Sequence, residues 1–395
     1  RVGVFGLYRV TGSLSYETIA LAKNSLAGRD LVIAQFSLVL IVISTLLRSA
    51  VVPLSGWLVG AHSTAPHPVS ALLSGVLIKI PLFALVRLLL LVVGSHKIGS
   101  ILAYAGALSA LVGIYFAIRE THAKRLLAYS SVSQIGYVVS AYGLAIQKGL
   151  ETEQGALLLS LALMYAFCHA VAKALLFLTV GTATDALDTK DLRIARGANK
   201  ALAAAGEKVP LTCISFFIAF LSLAALPPTI GYLGKNTLLS LIKEHPASYF
   251  LTVTSVLTIV AYFKLCTIFL PGKQNQRRQS QKVQASISFS MHGGFLLFDS
   301  MIIGGFLFYD RLQSWVIQIL SPLGSSQMEV PSYMPYIDLT KSFITLVIAF
   351  IVYRLYNLAM AHKLLDWVPS SKRTFSDLFF GYGLSIAAMA FLLIR

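Results

Sequence analysis

Two side chains that can take up and release protons, His169 and Lys173, stand inside an apolar run that reads YAFCHAVAKALLFL. They are four residues apart, so on a helix they stack on one face and set an imidazole beside an amine. The surrounding residues 155–184 hold no other charge, and that length is ample for a bilayer-spanning helix at about 20 residues per crossing. An ionisable group near the middle of the hydrocarbon costs about 3 kcal/mol on insertion scales and turns toward a protein interior or a water-filled path. A buried polar pair that only locks helices together is the competing reading. Even then, a lysine there needs a partner or a way to shed its charge. The pair therefore predicts proton handling inside a membrane.

Composition tells what must hold such a pair. Hydrophobic residues make up 56% of the 395 and charged residues 12%, with a mean hydropathy of +0.76. This predicts an all-α, polytopic integral membrane protein of about ten or eleven transmembrane helices, with too little polar surface for a separate soluble domain. The net charge of +16 is not gathered into the aromatic-interleaved patch of a nucleic-acid binder. It sits in short loops between apolar spans, so the expected partner is the lipid bilayer and no nucleic acid. Cys168, Cys213 and Cys266 fall in apolar spans without metal-ligand spacing. With no GxGxxG after a strand and no CxxCH, neither a metal nor a redox cofactor is expected. The first residue is Arg1 and no cleavable signal peptide is visible, from which we expect the chain to begin inside a longer protein.

The chain divides into residues 1–30, the end of a helix and a polar connection; 31–270, the core; 271–290, a basic linker; and 291–395, further transmembrane helices. Within the core, the span 31–57 carries Arg48 and is broken by Pro53; the span 69–93 carries Lys79; 101–118 and 126–146 follow, the latter with Ser130, Ser131, Ser133 and Gln134 as a polar stripe. After 155–184 and a long polar loop comes 209–242, interrupted at Pro227-Pro228 and carrying Lys235, then 249–270 with Lys264. Proline removes a helix donor and clashes with the preceding turn, so two discontinuous helices are predicted. Later spans are 291–309, 342–358 and 378–394, with an external-looking segment before Asp338. Alternate loops concentrate the basic residues: Arg119, Lys124, Arg125; then Lys190 to Lys208; then Lys273, Arg277, Arg278, Lys282; then Lys363, Lys372, Arg373. All four fall on one side, read as cytoplasmic by the positive-inside rule. A broken span followed by a lysine-bearing span recurs five helices on, and an odd offset inverts the second copy, an arrangement that puts transport sites on interrupted helices near the midplane.

The stretches RSAVVPLSGWLVGAHSTAPHPVSALLSGVLIK, HAKRLLAYSSVSQIGYV, AFCHAVAKALLFL and LPPTIGYLGKNTLL, in that order and spacing, resemble the antiporter-like subunits shared by respiratory complex I, Mrp-type sodium/proton antiporters and membrane-bound hydrogenases. The resemblance implies a core of two inverted five-helix units and a polar axis that relays protons. It implies that His169 and Lys173 are the central relay pair, that Lys79 precedes them and that Lys235 connects toward the outside. Arg48 falls where the family has a lysine paired with a glutamate on an earlier helix, and Lys124 at a basic helix start; Glu17, in a polar connection, is no substitute for that glutamate. Arginine keeps its proton, so Arg48 is expected to act as a fixed charge, with a headgroup anchor as the alternative. Lys264, near a span end, could snorkel to the interface. His62 and His67 are either feeders of the path or turn residues. The resemblance further implies other membrane subunits as partners, in an energy-transducing membrane: bacterial plasma, thylakoid or organelle inner. The tail leans toward the Mrp and hydrogenase branches. Three functions stay open: a non-redox subunit of a redox-driven proton translocase of the NADH:quinone oxidoreductase or hydrogenase type, a cation/proton antiporter subunit that exchanges Na+, and a partner in inorganic-carbon uptake.

Overall fold

The computed structural model describes residues 2–22, 25–90, 95–150, 152–272, 289–320 and 338–358. Those residues are helical apart from turns and one isolated bridge between His122 and Asp191. That is the outcome expected of long apolar runs, since a lone segment in lipid can satisfy its peptide groups only within a helix. The helices α1 (Val2–Thr11), α2 (Tyr16–Ala22) and α3 (Gly28–Arg48) lead to a break and to α4 (Gly56–Thr64). Next come α5 (His67–Leu72), a widened turn at Leu73–Leu77, and α6 (Ile80–Leu90), followed by α7 (Ser95–Arg119), α8 (Ala123–Lys148) and α9 (Glu153–Ala186). After the short α10 (Ala198–Ala204), a second break separates α11 (Leu211–Leu223) from α12 (Ile230–Leu241). The remaining helices are α13 (Ala247–Cys266), α14 (Phe289–Leu307), α15 (Tyr309–Leu320) and α16 (Leu339–Tyr356).

Seven stretches among the described residues are long and apolar enough to cross a membrane: α3, the α5–α6 run, α7, α9, α13, α14 and α16. Helix α8 is also long enough at 26 residues, but its serines and Gln134 dilute its hydropathy. The expected basic linker, the loop with Lys363, Lys372 and Arg373, and the span 378–394 lie outside the described residues. The segment after residue 309 opens with α15, which packs against α9 and buries Tyr309 and Gln313.

Helix α9 is the hub. Of its most apolar window, 78% is buried, against 6% for α16 at the periphery, and it packs on α5, α8, α10, α11, α12, α14 and α15. Beside it, α7 and α8 run antiparallel and very close, as membrane helices do where small residues let backbones approach. Gly106 of α7 and Gly136 of α8 meet at that contact: a Cβ on Gly136 would sit 2.5 Å from Gly106 O and from Ala110 N. Backbone cannot yield as a side-chain tip can. Gly136→Leu is therefore expected to part the two helices and lower the thermal unfolding temperature of the detergent-solubilised protein, by the 1–3 kcal/mol or more typical of overpacking; an unchanged unfolding curve would refute this packing.

Candidate functional site: a lysine file between two broken helices

The two breaks are built alike. After α3, Ala50 adopts a left-handed backbone (φ 57°), as Ala225 does after α11 (φ 56°), and each stands three residues before a proline, Pro53 or Pro228. Their hydrogen bonds also match. Ala50 N and Val51 N donate to Leu47 O and Leu46 O at 3.1 and 3.0 Å, and Ala225 N and Leu226 N to Ser222 O and Leu221 O at 3.2 and 2.9 Å. A left-handed residue with reversed bonds to the last turn is the usual way to end a helix without stranding its carbonyls. The two breaks stand at the prolines that predicted them, and their register sets which residues are equivalent in the two copies. Arg48 is equivalent to Leu223, not to Lys235, and Lys235 is equivalent to Gly60. The repeat lies in the backbone, and the ionisable groups do not follow its register.

Lys79 follows the widened turn. There Ile78 N reaches back to Leu73 O (3.4 Å) and Lys79 N to Val76 O (2.9 Å), while Lys79 Nζ donates to Ser74 O. Widened turns of this kind are rare and frequent at functional sites. The Ser74 hydroxyl lies 2.8 Å from that of Ser131 on α8. The adjacent Ser130 accepts from Lys173 Nζ, which also donates to Leu127 O at 3.0 Å. Lys79 holds the Ser74 carbonyl rather than its hydroxyl, and the Ser130 and Ser131 hydroxyls each donate to Leu127 O, at 2.9 and 3.0 Å. Lys79 and Lys173 thus stand at the two ends of a cluster of hydroxyls and carbonyls rather than of one continuous hydrogen-bonded run.

His169 lies at the centre. It is fully buried, neither ring nitrogen has a hydrogen-bond partner among the described residues, and it is within electrostatic reach of Lys79, Lys173 and Lys235. One turn along α8 from Ser130, Gln134 accepts from the Tyr165 hydroxyl and donates to Thr258 Oγ1 at 3.2 Å. The Tyr165 ring is 5.8 Å from that of Tyr137, and Lys235 Nζ stands 4.7 Å over the Tyr137 ring. Lys235 is fully buried on α12 without a hydrogen-bond partner among the described residues. Lys173 similarly lies 5.6 Å from the Tyr262 ring. Aromatic faces attract a cation without fixing its proton. Thus the lysines are held by one hydroxyl, main-chain carbonyls and aromatic rings, and none of the three forms an ion pair among the described residues.

The other predicted residues lie around this file. Lys124, only 3% exposed, donates to Ala65 O at 2.7 Å and so ties the start of α8 to the α4–α5 turn. In that turn His67 pairs with Asp185 at 2.9 Å, and His62 is buried against Phe177 with ring centroids 4.4 Å apart. Nearby, the fork of Arg193 holds the Asp191 carboxyl below its usual range through hydrogen bonds of 2.6 to 3.0 Å. Lys264 is half-buried, donating to Ile118 O at 2.7 Å with the Tyr356 ring 5.8 Å away. Arg48 is exposed and lines an open, mostly apolar groove with Phe5, Tyr8 and Pro81. The structure brings Lys79, His169, Lys173 and Lys235 together and leaves Arg48 and Lys264 outside. Sequence reasoning missed Ser74, Tyr137, Tyr165, Thr258 and Tyr262; the stripe on α8 was the only signal for their partners.

Residues 2–261 match the family described as "NADH:quinone oxidoreductase/Mrp antiporter, TM". The chain is 35% identical over 271 residues to NADH-quinone oxidoreductase subunit N of Desulforudis audaxviator, covering 67% of this chain and 50% of that protein. It is 31% identical over 266 residues to hydrogenase-4 component B of Escherichia coli, covering 62% and 38%. The chain thus spans half or less of these curated relatives. The structure of the Mrp complex from Dietzia has the same fold, with a TM-score of 0.64 at 20% identity over 87% of this chain and 66% of that one. Since the family profile covers well over half of its length, this multi-pass membrane chain belongs to the NADH:quinone oxidoreductase/Mrp antiporter transmembrane family.

Proposed function

We propose that this chain carries protons across an energy-transducing membrane as a non-redox subunit of a multisubunit complex, along the order Lys79, Lys173, His169, Lys235. The observation that carries this reading is that Lys79, Lys173 and Lys235 gather within electrostatic reach of the buried His169 with no ion pair among the described residues, the Ser74, Ser131 and Ser130 hydroxyls lying between the first two. A lysine bound by a carboxylate is a structural pin, whereas one held only by neutral groups can lose its proton without leaving a buried charge unpaired. From Lys173 the proton passes His169 and reaches Lys235 beside the second break, with Gln134, Tyr165 and Tyr137 lining the way. The breaks supply what straight helices lack, namely backbone dipoles at membrane depth that face the protein interior. Other subunits then supply the driving reaction, an electron transfer or a counter-moving cation such as Na+.

Lys173→Met keeps the length and packing of the side chain but cannot titrate. It is expected to abolish proton translocation, followed with a pH-sensitive dye in vesicles, while assembly stays normal; full pumping would remove Lys173 from the path. Lys235→Arg keeps positive charge over the Tyr137 ring but does not release a proton. Proton flux should be lost in a normally assembled protein, and near-normal flux would leave Lys235 a purely structural role. Adding Na+ to proteoliposomes that lack an electron donor separates the two classes of driving force, since only an antiporter should then move protons.

A further inference from the structure

A second set of ionisable groups lies outside the lysine file, on the seam between α11 and α14. Asp299, near the middle of α14, is 6% exposed. Its Oδ2 lies 2.6 Å from the Ser215 hydroxyl of α11, and its Oδ1 has no hydrogen-bond partner among the described residues. Two turns toward the start of α14, on the same side of the helix, His292 Nε2 is 3.5 Å from Glu207 Oε1. Glu207 is 4% exposed; its Oε1 accepts from Thr212 N and Oγ1 at 2.7 and 2.8 Å, and its Oε2 is buried without a partner among the described residues. Thr212 and Ser215 continue along α11 toward Ser222, whose buried hydroxyl also has no partner among the described residues. Ser222 abuts Gly231 at the break, four residues before Lys235.

Much of this could be a pin between helices, with Glu207 capping the start of α11. A pin, however, needs one acceptor, and an amide or hydroxyl supplies it in lipid without the cost of an ionisable group. A carboxylate at this depth with a single hydroxyl donor and no cation in ion-pair contact among the described residues loses its hydration without compensation. Holding a proton removes that cost.

We propose that Asp299 is a proton-binding carboxyl, loaded from the basic-loop face through Glu207 and His292, and the core of a second proton route along the α11–α14 seam that meets the lysine file at the second break. Its contribution to flux rests on the proton-translocating reading above; its protonation does not. The probe is dicyclohexylcarbodiimide, which adds to a protonated carboxyl in an apolar setting, applied to native membranes holding the whole assembly at about pH 8, where a carboxyl in water is ionised. Peptide mapping should find the adduct on Asp299, still present in Lys173→Met and absent in Asp299→Asn. Asp299→Asn keeps an acceptor for Ser215, so a mere pin predicts unchanged flux; we expect a severalfold loss, with Asp299→Glu restoring most of it. No adduct on Asp299 would overturn the proposal, as would protection by Na+, which makes the carboxyl a cation ligand instead. Normal flux in assembled Asp299→Asn would also overturn it.

Discussion

Within a bilayer a peptide group cannot fall back on water, so every interruption of a helix must be settled by the protein itself. The whole arrangement follows from how the two breaks meet that demand. After each, the left-handed alanine turns its own amide and the next one back onto the preceding carbonyls. Val52 N is further held by Ser109 Oγ at 3.0 Å, and Trp57 Nε1 reaches across the first break to Leu47 O at 2.7 Å. Because the broken segments are buried against α7, α8 and α9, polar backbone can exist at membrane depth, and charged side chains can be lodged beside it.

The second dependence is on neutral partners. Carboxylates would hold the buried ammonium groups more tightly, but a buried ion pair is a fixed object, costly to break by removing one partner. A hydroxyl, main-chain carbonyls and aromatic faces solvate a charge more weakly than a carboxylate does. The carboxylates that are ion-paired sit toward the loops, as Asp185 with His67, Asp191 with Arg193 and Glu120 with Arg125. Fixed pairs thus order the ends of the helices, and the lysines of the file lie apart from them.

Much of this was legible in the chain. Proline placed both interruptions, long apolar runs placed the helices, and the spacing of His169 and Lys173 placed the centre of the file. What escaped was whatever depends on contact between distant helices. Tyr137 and Tyr165 look like ordinary core residues, and only the fold brings them between Gln134 and Lys235. Ser74 gains meaning from the widened turn beside Lys79, which nothing in LSGVL announces. Asp299 is a single acid in an apolar span, and its partner Ser215 lies on another helix. The repeat of broken spans showed in the prolines, but its residue register did not, because lysine and arginine positions do not follow it, whereas the left-handed alanines do in both copies.

Those alanines bear on how the molecule moves. A glycine at either site would adopt the left-handed conformation freely, whereas alanine has a single narrow well there. The bonds from Ala50 and Val51, and from Ala225 and Leu226, close each well further. The backbone at the breaks is therefore held as a corner at these residues. The side chains between the breaks are less constrained than this backbone: the four-carbon stems of Lys79, Lys173 and Lys235 each carry rotatable bonds where the left-handed alanines allow almost none.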